Sequence, residues 1–274
     1  MKTKIQRLKA KYRYSLILLK QLVKTDFKLR YQNSVLGYAW SLLKPLSLFL
    51  ILYIVFVKVL RTGGDIPNFG VYLLIGIVLW NYFLEVTNGS IEAIVGQGEL
   101  LRKVNFPRYV IIMAGSFSAF INLLFNSVIV GLFIWYAKIP LQLSAALVPL
   151  VVIELFIFAL ALGFLLSALY VRYRDVKYIW EVIAQAAFFA TPIMYSFSLI
   201  VEKSELAAKV LISNPVAQIM QDARYLLVSE KTQTVASVFG TTWAYTLPLT
   251  IVAATLLCAG LYFKKRSAYF AEEV

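Results

Sequence analysis

Residues 109–137 read YVIIMAGSFSAFINLLFNSVIVGLFIWYA, 29 positions without one charged side chain. About twenty apolar residues in a helix cross the ~30 Å hydrocarbon core, so this stretch is long enough to span a bilayer. Outward from it the pattern continues. Between Arg108 and Arg172 the only charges are Lys138 and Glu154, and from Thr232 to Phe263 there are none. Of the 274 residues 61% are hydrophobic and 15% charged, and the mean hydropathy is +0.76. A soluble globule cannot hide that much apolar surface, which identifies a polytopic membrane protein of all-α class.

Six uncharged runs read as spans. Only thirteen uncharged residues separate Lys44 from Lys58, so the first helix is expected to begin near Leu36 and to carry Lys44 at an interface, where its stem snorkels. The others fall at 69–84, 109–137, 147–170, 179–198 and 242–263. An even number places both termini on one side. Ten basic residues precede Tyr31; Lys44, Arg102, Lys103, Arg108, Arg172, Arg174, Lys177, Lys264, Lys265 and Arg266 bring that side to 20 of 27. Lys58, Arg61, Lys138, Lys203, Lys209, Arg224 and Lys231 are left for the other. The positive-inside rule therefore predicts cytoplasmic termini, and the net charge of +13 reports topology and contact with anionic lipid rather than nucleic acid. No secretory signal is expected, because the first apolar run follows a basic segment of thirty residues. The expected organisation is a basic cytoplasmic segment at 1–35, a membrane domain at 36–266 and a short tail at 267–274.

The composition also excludes chemistries. There is no histidine and one cysteine, Cys258, so a histidine base, a zinc site and a disulfide framework are ruled out. No G-x-x-x-x-G-K-[ST] phosphate loop occurs, so any ATP is hydrolysed on another chain.

Several segments do more than cross. Leu18, Leu19, Leu22, Val23 and Phe27 share a helical face beside a stripe of Lys20, Lys24 and Lys28, the pattern of a helix lying in the membrane interface. It serves as a juxtamembrane anchor, as a hold for a partner, or as both. The stretch 92–108 carries Glu99-Leu100-Leu101-Arg102-Lys103 and Asn105-Phe106-Pro107, either a connector or a docking element presenting Leu100, Leu101 and Phe106. After the fifth span, 201–231 reads as two short amphipathic helices split at Ser213-Asn214, re-entrant or a solvated cap. Asn214 is the expected N-cap and Pro215 the first helical residue; Val216, Ile219, Met220, Ala223, Leu226 and Leu227 form the apolar stripe, with Gln221, Asp222 and Arg224 on the other side.

Polar groups inside spans face protein or water. Ser118, Asn122 and Asn126 share a face of the third span, and Glu154 sits well inside the fourth. Tyr178, Glu181, Gln185, Phe188, Pro192 and Tyr195 run along the fifth. Interhelical hydrogen bonding and a pore lining both account for them. Phe49, Tyr53 and Phe56 share a face of the first span, as sugar-stacking rings or as part of an aromatic belt.

Taken together, LRYQNSVLGYAW at 29–40 with Lys44-Pro45, LRKVNFP at 101–107, RYRD at 172–175, TPIMY at 191–195 and Asn214-Pro215 resemble the permeases of type-2 ABC transporters that export cell-surface polysaccharides. Relatives of that kind move O-antigen, capsule, rhamnose-rich wall polysaccharide and teichoic acid, and the likeness runs from about Asp26 to Lys265. The resemblance implies six spans, an N-terminal interface helix and two re-entrant helices between spans five and six. It implies a homodimer in the bacterial cytoplasmic membrane, joined by two copies of a separate ATPase that holds ATP and Mg, so that this chain is no enzyme and carries no cofactor. The substrate would be a glycan on undecaprenyl diphosphate, drawn between the two permeases. Glu99, Leu100, Leu101, Arg102, Lys103, Phe106 and Pro107 then fall where the ATPase is coupled. Arg30 and Lys44 would meet the diphosphate, since cations stabilise that dianionic head where water is scarce. Phe49, Tyr53, Phe56, Tyr178, Glu181, Gln185, Phe188 and Tyr195 would line the path. Asn214, Pro215, Ile219 and Met220 would shape the outer gate. An ABC exporter of a drug or small lipid is the alternative; a membrane-bound glycosyl or phosphosugar transferase would need clustered acids or histidine.

Overall fold

A computed structural model describes residues 4–30, 34, 36–59, 66, 68–99 and 106–270. In chain order its helices are α1 (Lys4–Arg30), α2 (Ala39–Tyr53), α3 (Phe69–Ile91), α4 (Ala93–Gly96), α5 (Tyr109–Tyr136) and α6 (Val148–Arg172). Then follow α7 (Val176–Ala190), α8 (Ser198–Lys203), α9 (Glu205–Ile212), α10 (Pro215–Leu227), α11 (Val235–Phe239) and α12 (Thr246–Arg266). A π-helical turn, Ile54–Val59, extends α2, and 3-10 turns at Leu143–Leu147 and Thr242–Tyr245 lead into α6 and α12. The described residues contain no strand.

Five of these elements are long and apolar enough to cross a membrane: Ala39–Val59, Phe69–Ile91, Tyr109–Tyr136, Leu143–Arg172 and Thr242–Arg266. The run expected at 179–198 departs from the expectation. Its helix, α7, has 15 residues, about 22 Å at 1.5 Å per residue and short of a full crossing. The cause is Pro192, which lacks an N–H and forces Thr191 into extended backbone, ψ 136°.

The bundle is organised around α3. Every residue from Val71 to Trp80 is buried, because α2, α5, α6, α7 and α10 pack around it. A helix apolar all round belongs in such a place. Where α6 crosses α3, Gly163 lets the helices approach: a Cβ there would lie 2.5 Å from Ser90 Oγ. On α1 the lysine stripe is exposed while Leu18, Leu19, Leu22 and Val23 are half-buried, as their spacing requires, and the helix lies along α5.

Two local devices hold the spans. Pro45 inside α2 cannot donate to the carbonyl of Ser41, four residues back. Asn126 of α5 supplies the donor instead, its Nδ2 lying 3.3 Å from Ser41 O. At the end of α5, Lys138 stands at φ +55°, its N–H bonds Trp135 O, and the N–H of Ile139 bonds Ile134 O, the two bonds of a Schellman cap. Glycine is the residue usually found there, since a Cβ in the left-handed region costs roughly 1–2 kcal/mol. Lys138→Gly is therefore expected to stabilise the protein by about 1 kcal/mol, read as a raised thermal midpoint; a lowered one would show that the lysine side chain holds the turn.

Candidate functional site

At the Phe69 end of α3 the chain builds a cage around Arg224. This side chain is fully buried. Its Nε donates to Tyr72 O at 3.0 Å, Nη1 to Pro192 O at 2.5 Å and Gln221 Oε1 at 2.9 Å, and Nη2 to Ile193 O at 2.9 Å. The guanidinium lies 3.5 Å over the Tyr72 ring, a cation–π contact in a desolvated setting. Two of those carbonyls belong to the break after α7. Buried irregular backbone needs internal partners, and Arg224 supplies them. Tyr195 completes the repair, its hydroxyl donating to Phe189 O and Ala190 O at 3.1 and 3.0 Å. Gly76 makes the room: a Cβ there would lie 2.4 Å from Arg224 Nη2.

The expected split at Ser213-Asn214 is observed. Asn214 Oδ1 accepts from the Val216 N–H at 3.0 Å, and Pro215 opens α10. The segment is more divided than two helices, comprising α8, α9 and α10. The polar side of α10 is buried as completely as its apolar stripe. Gln218 Nε2 donates to Asp222 Oδ2 at 2.7 Å and to Glu154 Oε2 of α6 at 3.4 Å, and the Tyr245 hydroxyl donates to Asp222 Oδ1 at 2.8 Å. Ile219 and Met220 are core residues against α3 and α6, and Pro215 is buried beside them in the chain.

The aromatic and polar positions divide into two groups that the fold of the chain does not bring together. Phe49 is buried, 5.6 Å from the Tyr53 ring and 5.4 Å, edge-on, from Phe133, while Phe56 packs against Phe69. Phe49 and Tyr53 border a cavity of about 760 Å³ between α2, α3 and α5. On α7, Tyr178, Glu181 and Gln185 are exposed, whereas Phe188 turns inward onto Trp80 at 5.9 Å.

At the Ile91 end of α3, Lys177 Nζ lies 2.9 Å from Glu92 Oε1, which also accepts from the Tyr170 hydroxyl at 3.2 Å. Trp180 Nε1 donates to Asn88 Oδ1 at 2.9 Å. These contacts fasten the start of α7 to α3. The Lys177 hydrogen bond, helped by its charge, holds the Glu92 carboxyl below its ordinary range. A lowered carboxylate pKa contributes stability above its ordinary value, lost as pH falls through the folded one. The midpoint gap between wild type and Glu92→Gln is thus expected to be small at pH 7, since the pair is exposed, and to close below about pH 4.

The coupling stretch is described in part. Leu100, Leu101, Arg102 and Lys103 lie outside the described residues, as does the side chain of Arg30. Glu99 is exposed and Pro107 half-buried. Phe106, expected on the surface, is instead buried with Ile94, Ile111, Val171, Phe263 and Phe270, where apolar ends of four helices meet. Arg108 Nη1 donates to the carbonyl of Ser267 beside it. Lys44 is exposed on α2.

Sequence reasoning missed the Arg224 cage and the Glu92–Lys177 clamp. One signal for the cage was available: an arginine within the three-four apolar pattern of α10, following a Thr-Pro break in a span.

The family of ABC-2 type transporters matches residues 17–221, from α1 well into α10. The chain belongs to the ABC-2 type transporter family. This ABC-2 type transporter is similar to the O-antigen export system permease protein RfbA of Myxococcus xanthus, 29% identical over 267 residues, covering 96% of this chain and 97% of the relative. It is also similar to an O-antigen export system permease protein RfbA of Klebsiella pneumoniae, 28% identical over 225 residues, 81% of this chain and 85% of the relative. Its long apolar helices make the ABC-2 type transporter a multi-pass membrane protein.

Proposed function

We propose that this chain is the membrane-spanning subunit of an ABC exporter that carries an undecaprenyl-diphosphate-linked polysaccharide across the bacterial cytoplasmic membrane. The observation that carries the reading is the end-to-end similarity, 96% of this chain and 97% of the relative, to a protein named for O-antigen export. Two copies of the chain, each crossing six times with cytoplasmic termini, form the conduit. The crossing at α7 is completed by the turn that Arg224 holds, and α8 to α10 fold back into the membrane as the outer gate around Asn214, Pro215, Ile219 and Met220. Hydrolysis takes place on two copies of a partner ATPase, which holds ATP and Mg.

Coupling runs through 99–107. Phe106 is rooted in the cluster that joins α4, α5, α6 and α12, so a push on this segment moves those helices as a unit rather than bending a loop. Arg30 and Lys44 receive the diphosphate. The exposed Tyr178, Glu181 and Gln185 of α7 face the glycan together with the rings of α2, and shallow contacts let a polymer slide where a deep well would stall it.

Deleting the chain from its cell tests this. Surface polysaccharide should fall and lipid-linked polysaccharide accumulate on the cytoplasmic side, both reversed by the wild-type chain, and an ABC ATPase should co-purify. Unchanged surface glycan with no accumulation would refute the reading.

A further inference from the structure

Glu154 serves neither the path nor the coupling segment. It belongs to a polar group formed where α6, α10 and the turn before α12 meet. Gln218 and Asp222 stand four residues apart on one face of α10 and are 2% and 8% exposed. A carboxylate in such surroundings needs a cation, full hydrogen bonding or a proton of its own.

No cation is at hand. Among the described residues no basic side chain bonds Glu154 or Asp222. Arg224 turns the other way, into its cage. Lys138, at the end of α5, lines a separate cavity with Val148, Val152, Ala223 and Leu227. On α9 Lys209 pairs with Glu205, and on α7 Lys177 pairs with Glu92. On α3 Tyr72 bonds Gln221, while Tyr82 and Glu85 meet Phe120 and Asn122 of α5. The lead-in turn to α6 carries no charge, and α12 carries none before Lys264.

The donors can be counted instead. Both oxygens of Asp222 are answered, Oδ1 by the Tyr245 hydroxyl at 2.8 Å and Oδ2 by Gln218 Nε2 at 2.7 Å. The same amide nitrogen donates to Glu154 Oε2 at 3.4 Å. Two atoms remain, Glu154 Oε1 and Gln218 Oε1, both buried and both without a partner among the described residues. Each belongs to a group already bonded to the other. While Glu154 is ionised both atoms only accept, so neither can serve the other. Turning the amide over would set its oxygen against two carboxylates. A single proton changes the count. A carboxylic acid and a primary amide pair by two rungs, N–H to C=O and O–H to C=O. The first rung is present, and the unanswered atoms are the two that the second requires. Two carboxylates that share one site also hold a proton in preference to two charges.

We propose that Glu154 is a neutral carboxylic acid whose proton clasps the fourth span to α10, with Asp222 the ionised member of the pair. The second rung exists only while the proton does, so the grip of α6 on α10 is switched by protonation. Its bearing on export rests on α10 being the outer gate; the clasp itself does not.

Infrared absorption of the purified chain in nanodiscs at pH 7 tests the assignment. The carbonyl band of a protonated carboxyl should be present in wild type and lost in Glu154→Gln. Glutamine at 154 brings its own N–H to Gln218 Oε1 and keeps both rungs, so its thermal midpoint should match or exceed that of wild type at pH 7. Glu154→Leu keeps neither rung and should melt a few degrees lower. From about pH 5 to 8 the wild-type midpoint should fall relative to that of Glu154→Gln, because folding takes up a proton that the unfolded carboxyl has released above about pH 4. One proton corresponds to about a tenfold change in the folding equilibrium per pH unit. Absence of the band, its survival in Glu154→Gln, or a midpoint gap that does not move with pH would overturn the clasp. If the band and the gap behave as expected yet deletion of the chain leaves surface polysaccharide intact, the clasp stands and the export reading falls.

Discussion

The Arg224→Met variant is expected to lose about 3–5 kcal/mol of stability, the upper end of what a single substitution costs when it breaks a buried hydrogen-bond network. Methionine keeps most of the volume, so the loss isolates polar bonding from packing. Two backbone carbonyls of the turn, Pro192 O and Ile193 O, lose the guanidinium donor in a buried setting, and each unsatisfied group costs about 1–3 kcal/mol; Tyr72 O loses a second donor but lies within α3. Relaxation of the turn recovers part of that sum. Arg224→Lys should rescue little, because one ammonium cannot reproduce a planar fork reaching carbonyls on two segments. The measurement is the thermal midpoint of the purified protein, followed by size-exclusion profile. A loss below about 1 kcal/mol for the methionine variant would mean that water replaces the arginine and that the cage is not sealed.

The second large effect is at Phe106. Removing a buried phenylalanine ring costs about 3–5 kcal/mol, and here the void opens among Ile94, Ile111, Val171, Phe263 and Phe270. Phe106→Ala is expected to weaken association with the ATPase and to uncouple what remains, so that hydrolysis continues while surface glycan falls. Phe106→Leu, which keeps most of the contact, should retain export. The test is the ratio of glycan moved to ATP hydrolysed, with the amount of protein in the membrane held equal. Wild-type association and ratio in Phe106→Ala would remove this segment from the coupling path.

Much of this architecture was legible in the sequence. Five of the six expected runs became helices long and apolar enough to cross a membrane, because uncharged length is a direct reading of hydrocarbon thickness. The Asn214 N-cap with Pro215 at the first helical position was equally plain, being chemistry settled within three residues. The fifth run was not legible. Apolar length continued through Thr191-Pro192, and only the backbone consequence of the proline, extended ψ before it and carbonyls left over after it, shortened the helix. The α10 helix misled in the opposite direction. A polar side at helical spacing suggests water, but Gln218, Asp222 and Arg224 find their partners on α3, α6, the 3-10 turn before α12 and the α7 turn, which no local window contains. Of the candidate site, the lysine stripe of α1 and the exposed positions of α7 follow from periodicity. Phe106 does not: a ring in a charged connector looks presented until four helix ends close over it.

The bonds that Asn126 and Arg224 make also set a schedule for assembly. A chain threaded into the bilayer from its N-terminus places α2 in lipid with the Ser41 carbonyl unanswered, and the answer arrives only with α5, 85 residues later. The carbonyls of Pro192 and Ile193 wait for a guanidinium 32 and 31 residues downstream. Until α10 has been synthesised, the break after α7 carries open hydrogen-bonding groups. The half-made protein is thus a client for whatever shields polar backbone in the membrane, and its last irregular turn is what releases it.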